Sequence, residues 1–372
     1  RTSETQAKVK TDDLAGAIVE RMKSNLKFLI GQQTKEFIKT NKRWYDGAHK
    51  LADAMAKDSK IDIASASGVI AALSPQTDWD RNVYMAHAVA DSMTHRMDFA
   101  WDAAMEKTGA AIWTKDNAQF LPALRAAKTL RELSRGEDQD AAHALMGMWI
   151  RTYDQAHGTR QYHAITAEGD EGDFVRTKTT AKGGGEPKVM MWGTVSSLGN
   201  AVAAYRSQGD ANKLSDAMGD RHKVRSFYNN ILDPDSKNGD VTIDTHAVGA
   251  AWLQPYTGKD VAVLHALNTN PEKKDKPEGW VGSKGSAVTG VKGTYGLYAQ
   301  AYREAAHDLH MQPRELQSVV WVAKRLMFAE DQTGSVMKHN VDAVWHDFHS
   351  GKLDLEAAQA QVMKVARETK AR

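Results

Sequence analysis

Cysteine is absent from the 372-residue chain. That excludes disulfides, a thiol nucleophile, Cys-ligated zinc and a Cys-ligated iron–sulfur cluster, and it leaves the compartment open. Gly and Pro number only 28 and 8 against 41% hydrophobic residues, which excludes a disordered or fibrous chain. No run approaches the ~18 consecutive apolar residues that a membrane span needs. Charge of one sign is not in excess either, with 49 Lys+Arg against 47 Asp+Glu. A basic stripe can be balanced by an acidic back, so partner arguments must come from local clusters. What is present is a chain long enough for one large domain or two modest ones, with a sizeable core. A soluble, globular protein is expected. Arg1 stands where a Met would, with no charged-then-apolar leader after it, so the chain is expected to start inside a longer or processed one.

Helical periodicity dominates, and no alternating β-branched run is long enough for a sheet of several strands. The expected fold class is mainly α. Apolar residues recur at helical spacing from Leu14 to Ile38 and, after Asn41, from Trp44 to Met55, predicting two amphipathic helices. Asp62 or Ser65 can cap a short apolar helix, Ala66 to Leu73, that stops at Ser74-Pro75. A helix from Trp79 to Met93 follows, and residues 100–150 read as two or three Ala-rich scaffold helices. From His157 to Lys188 charge, Gly and Thr take over, predicting a loop, a small β-hairpin or a mobile insertion. Helical patterns resume at Ser197–Ser207, Leu214–Met218 and Val224–Leu232, before a β-like Val241-Thr242-Ile243 and a helix starting near Asp244. A polar loop, Asn268 to Gly293, precedes the last helices at Tyr295–Leu309, Pro313–Ala329 and Asp354–Lys370. No internal repeat is present.

The stretch richest in chemistry is Gly219 to Trp252. A Gly-containing turn between two short helices is expected to point backbone N–H groups outward, and Arg221, His222, Lys223 and Arg225 ring it with positive charge, so that together they can hold a phosphate. Asp244 follows Lys223 by 21 residues, at the start of a helix, with Thr245 and His246 next. A carboxylate there is stabilised by the helix's positive end, and it can equally be only an N-cap.

This order of elements resembles the helix-hairpin-helix DNA glycosylases of the endonuclease III type. The matching pieces are Ala71-Ala72-Leu73-Ser74-Pro75-Gln76-Thr77-Asp78, Met218-Gly219-Asp220-Arg221-His222-Lys223 and Val241-Thr242-Ile243-Asp244-Thr245-His246. The chain also resembles uncharacterised phage proteins carrying segments like Trp44-Tyr45-Asp46-Gly47-Ala48 and Leu316 to Trp321. The resemblance implies a two-lobed helical fold with double-stranded DNA in its cleft, covering roughly residues 60–255. Residues 1–58 would be N-terminal helices, 59–255 a core with an insertion at about 157–190, and 256–372 helices completing the second lobe. The hairpin departs from the family pattern, because Asp220-Arg221 stands where an apolar-Gly pair is usual. No cofactor, metal cluster or membrane is implied, and the expected compartment is the cytoplasm of a bacterial or phage-infected cell.

The activity implied is excision of a base, including a modified one, from DNA. Expelling a base builds oxocarbenium character on the sugar, so a fixed carboxylate near C1′ stabilises the transition state; Asp244 is the candidate. Lys223 either attacks the same carbon as an amine, giving a lyase step, or contacts phosphate while water is the nucleophile. Gln76 matches the position that fills the gap left by the flipped base, and Gly219, Arg221, His222 and Arg225 are the candidate DNA contacts. His246 either assists Asp244 and the leaving base or is a structural partner. Trp79, Asn82, Trp44 and Tyr45 are candidates for a base pocket, and each can instead be ordinary packing. Tyr295, Tyr298, Tyr302 and Arg303 form a stripe expected to pack on the core, and Gln317, Trp321 and Arg325 share one helical face. His346 and His349 have two-ligand spacing without an evident third ligand. Gly183-Gly184-Gly185 is not followed by a Lys-Ser/Thr pair, so no nucleotide-binding P-loop is read. The rival readings are a non-catalytic DNA-binding or virion-associated protein with this fold, and an enzyme acting on free modified nucleotides.

Overall fold

The computed structural model describes residues 11–177, 185–268, 271, 276, 293–328 and 335–370. It is mainly helical, and among the described residues no helix is long and apolar enough to cross a membrane. The chain divides into two compact units, one built from residues 1–45 and 235–372 and the other from residues 46–234. These limits fall elsewhere than at the expected borders near 58 and 255, because helix α3 (Trp44–Ser59) gives its first two residues to one unit and the rest to the other.

The split unit contains α1 (Thr11–Gly31) and α2 (Lys35–Asn41). The periodicity from Leu14 to Ile38 is thus carried by two helices, because Thr34 leaves helical geometry and its side chain accepts from the N–H of Phe37. The later helices of this unit are α13 (Thr245–Trp252), α14 (Val261–Leu267), α15 (Tyr295–Asp308), α16 (Pro313–Met327), α17 (Ser335–His349) and α18 (Leu355–Lys370). Met22, Leu26 and Leu29 of α1 share one core with Val248 of α13, Tyr298 and Tyr302 of α15 and Val319 of α16. The tyrosine stripe of α15 is buried, and Arg303 at its end donates to the carbonyl of Gly239. Among the described residues, Val241-Thr242-Ile243 pairs with no strand. The hydroxyl of Tyr295 replaces a ladder partner, donating to the carbonyl of Val241 at 2.9 Å and accepting from the N–H of Ile243 at 3.2 Å, as buried backbone groups require.

The contiguous unit is arranged around α4 (Ile63–Ala72), which Asp62 caps and which is buried from Ser65 through Ala72. A helix without a polar face must be covered on all sides, and α5 (Trp79–His95), α10 (Val195–Arg206), α11 (Ala211–Met218) and α12 (His222–Leu232) cover it. The stretch expected to hold two or three helices breaks into α6 (Ala103–Ile112), a 3-10 turn (Lys115–Phe120), α7 (Leu121–Ala127), α8 (Leu130–Leu133) and α9 (Gln139–His157).

The insertion after α9 contains an antiparallel hairpin, β1 (His163–Ile165) and β2 (Glu171–Phe174), with His163 opposite Phe174 and Ile165 opposite Glu171. It is anchored at three places. Its turn lies on α3 at Gly47, where a Cβ would overlap the carbonyl of Ala167. Asp80 of α5 accepts the N–H of Ile165 at 2.7 Å. At the base, the buried carboxylate of Asp154 accepts from Tyr84 at 2.7 Å and from the indole of Trp192 at 3.0 Å. Apart from Asn268, Pro271, Lys276 and Gly293, the second polar loop lies outside the described residues, as do Gly183 and Gly184.

Candidate functional site

Asp244 takes the N-cap of α13, and its Oδ1 accepts from the N–H of Ala247 at 2.7 Å. The positive end of the helix favours a carboxylate at this place. Oδ2 accepts from the indole N–H of Trp321 at 3.0 Å. The residue is half-buried, and its charge is felt inside the unit. The buried hydroxyl of Tyr302, which donates to the carbonyl of Ala247, is pushed well above the usual tyrosine value by burial first and by Asp244 second.

Trp321 is the hub of this corner. The ring of Trp44 lies 5.8 Å from it, His246 stands edge-on at 5.7 Å and 90°, and the Arg325 guanidinium lies 4.7 Å above its face. Tyr45 is buried, donates to Gln317 Oε1 at 2.8 Å and sits 2.9 Å from Thr242 Oγ1. Trp44, Tyr45, Asp244 and His246 are therefore brought together, with the Gln317–Trp321 face of α16 completing the group.

Lys324 belongs to it as well, and sequence reasoning missed it. The residue is only 2% exposed, and its ammonium lies 3.2 Å from Nδ1 of His246. Its stem crosses α13 at Gly249, where a Cβ would stand 2.9 Å from Lys324 Cε. The available signal was a lysine set between Val320, Ala323 and Met327 on the buried stripe of α16, since a fully buried lysine is rare.

The remaining candidates lie in the contiguous unit. Lys223 donates to the carbonyl of Ser74 at 2.8 Å and lies 3.1 Å from Ser74 Oγ. Its ammonium is 5.8 Å from the centre of the Phe227 ring, which meets Trp79 edge-on at 6.1 Å. Gln76 is exposed on the turn between α4 and α5 with φ 56°, while Trp79 and Asn82 are buried in the unit. The α11–α12 turn does not present the N–H of Gly219 outward, because that group bonds back to the carbonyls of Ser215 and Asp216. Arg225 closes the same helix end by donating to the carbonyls of Gly219 and Ser215. Arg221 is half-buried, which holds its guanidinium below the usual arginine value, and His222 is exposed. Among the described residues no group of three or more His, Asp or Glu is placed to hold a metal ion.

A family of unknown function, DUF7178, matches residues 8–134 and 281–328, together just under half of the chain. The first stretch contains Trp44, Tyr45, Gln76, Trp79 and Asn82, and the second contains Gln317, Trp321 and Lys324. Asp244, His246 and the α11–α12 hairpin lie between the two. No curated protein and no solved structure matches the chain.

Proposed function

We propose that the Asp244 corner is the catalytic centre of a DNA base glycosylase. The observation that carries this reading is a half-buried carboxylate held at a helix N-terminus by Ala247 and Trp321, with His246 and the Lys324 ammonium alongside. Breaking the N-glycosidic bond sends the bonding pair to the base and leaves cationic character on C1′, which a fixed carboxylate stabilises. Water supplies the oxygen that ends on C1′. One of its protons passes through Asp244 to solvent, and the departing base takes up a proton. The resemblance of Ala71–Asp78, Met218–Lys223 and Val241–His246 to the helix-hairpin-helix glycosylases supports DNA as the substrate, with Lys223 a phosphate contact or an amine for strand cleavage.

A second reading rests on the same carboxylate. Both Asp244 oxygens already accept hydrogen bonds, so the residue can serve purely as a tie between α13 and α16 in a non-catalytic DNA-binding protein. The experiment is alkali-sensitive cleavage of end-labelled duplex DNA, plain and carrying modified bases, by wild type, Asp244→Asn and Asp244→Ser. Both replacements keep an N-cap acceptor and remove the charge. Cleavage by wild type alone is the expected result. Intact DNA in every lane, with DNA still bound in a salt-dependent manner, leaves the second reading.

A further inference from the structure

We infer that the lysine face of α2, formed by Lys35, Lys39 and Lys42, is a phosphate-contacting surface for duplex DNA in the unit that holds Asp244. The inference rests on the glycosylase reading for its choice of duplex DNA as the partner.

Lys35, Lys39 and Lys42 stand at i, i+4 and i+7, a spacing that puts side chains on one helical face. The register holds to the end, because Lys42 caps the helix in right-handed geometry at φ −65° and ψ −19°. All three are exposed. The other side of α2 is fixed to the unit: Phe37 and Ile38 pack on the core, Asn41 is buried, and Ser318 Oγ of α16 donates to the carbonyl of Asn41 at 2.9 Å.

Local helix energetics do not explain these charges. Lys35 is the first residue of α2, at the positive end of the helix dipole, where a cation is disfavoured. Lys39 suits the opposite end but repels Lys35 across one turn. Among the described residues none of the three makes an ion pair, not even with Glu36 on the same helix. By contrast, Lys27 on α1, Lys338 on α17 and Lys364 on α18 reach carboxylates at 2.9, 3.4 and 3.9 Å. A row of like charges that breaks local preference and has no counter-ion of its own fits an external polyanion. A membrane surface fits less well, since the apolar residues of α2 are already committed to the core and none is left to enter a bilayer.

The face is also close to the corner. Lys42 precedes Trp44 by two residues, the Trp44 ring lies 5.8 Å from that of Trp321, and the Trp321 indole is 3.0 Å from Asp244. This chain of contacts bounds the distance from Lys42 Cα to the carboxylate at roughly 25 Å. A duplex advances about 3.4 Å per base pair, so the lysines can meet phosphates within about seven base pairs of a base held at Asp244. The α11–α12 turn, in contrast, uses the Gly219 N–H and Arg225 on its own helix end.

The test uses the full chain and a duplex of about 25 base pairs, titrated across salt by fluorescence anisotropy. Wild type is compared with Lys35→Gln/Lys39→Gln/Lys42→Gln and with a control, Lys352→Gln/Lys364→Gln, that removes exposed, ion-paired lysines of the same unit. Each phosphate contact contributes about 0.9 to the slope of log Kd against log salt, so the triple variant is expected to lose roughly 2–3 from the slope and the control nothing. At about 0.15 M salt the triple variant is expected to bind on the order of 10-fold to 100-fold more weakly. A slope equal to wild type overturns the inference. Acetylation of wild-type lysines, read by mass spectrometry, is expected to spare Lys35, Lys39 and Lys42 when the duplex is bound and to modify Lys352 and Lys364 alike with and without it. Equal acetylation of the three overturns the inference even should the triple variant fail to fold. Wild type that binds no duplex but is captured by phosphatidylserine vesicles overturns it in favour of a membrane surface. An unchanged slope with base still released defeats this inference alone, whereas a reduced slope with a wild type that releases no base defeats the glycosylase reading alone.

Discussion

The indole N–H of Trp321 meets the carboxylate of Asp244 at 3.0 Å and ties the middle of α16 to the cap of α13. Trp321→Phe keeps most of the ring packing and removes the donor. A hydrogen bond to a charged, half-buried group contributes about 1–2 kcal/mol, so denaturant unfolding should show a loss of that size. A midpoint equal to wild type would mean that the contact contributes nothing.

Gly249 makes room for Lys324. Its missing Cβ would stand 2.7 Å from the carbonyl oxygen of Gln254 as well as 2.9 Å from Lys324 Cε, and the first of these is backbone. Gly249→Ala should cost about 1–3 kcal/mol through overpacking, read as a lower Tm with unchanged helical circular dichroism. A Tm equal to wild type would show that α13 and α16 separate without penalty.

The second close approach is in the other unit, at Gly47. A methyl group there meets the backbone from Ala167 to Gly169, so Gly47→Ala should lift the hairpin turn off α3. The Lys50–Asp170 ion pair beside it is exposed and contributes too little to hold the turn. Limited proteolysis should cut Gly47→Ala within residues 160–176 faster than wild type; equal rates would contradict the docking role.

Asp154 makes stability depend on pH in an unusual direction for an aspartate. Burial holds its carboxyl above the ordinary 3.8, although the bonds from Tyr84 and Trp192 and the charge of Arg160 pull the other way. A folded-state value raised above the unfolded one stabilises the protein below about pH 4, and that contribution is lost as pH rises through the folded value. The stability of wild type relative to Asp154→Asn should therefore decline from about pH 4 upward and then level off. Urea unfolding across that range checks it, and a difference that grows with pH would reverse the sign of the argument.

Much of the fold was legible because amphipathic periodicity and caps are local. Asp62 and Asp244 cap the helices whose starts they mark, and the stripe of Tyr295, Tyr298 and Tyr302 is buried. Two kinds of feature were not legible. Thr34 ends one periodic run in mid-pattern, since cap geometry competes with helix propensity over a single residue. Among the described residues the β-like Val241-Thr242-Ile243 pairs with no strand, and a tyrosine hydroxyl 52 residues beyond Ile243 satisfies its backbone instead; no local pattern announces such a partner.

In the candidate site, the grouping of Trp44 and Tyr45 with Asp244 and His246 is a tertiary fact that spacing cannot supply. Gln317 and Trp321 share one face of α16 by their spacing, whereas nothing local singles out Lys324, whose burial depends on the missing Cβ of Gly249 beneath it. In the α11–α12 turn the residue types suggested N–H groups free for phosphate. The N–H of Gly219 and the guanidinium of Arg225 instead close the preceding helix.

Helix α3 has an order-of-synthesis consequence. Residues 46–234 form one uninterrupted unit, whereas the unit holding Trp44 and Tyr45 resumes only at residue 235. As the chain leaves the ribosome, the inner unit has all its residues while Tyr45 still awaits Thr242 and Gln317, and Trp44 awaits Trp321. Units fold largely as they emerge, so the corner around Asp244 can close only after residues 46–234 are complete, across a separation of more than 270 residues between Trp44 and Trp321. A chain stalled before α16 would carry a finished inner unit and an outer one whose aromatic corner has only its first residues in place.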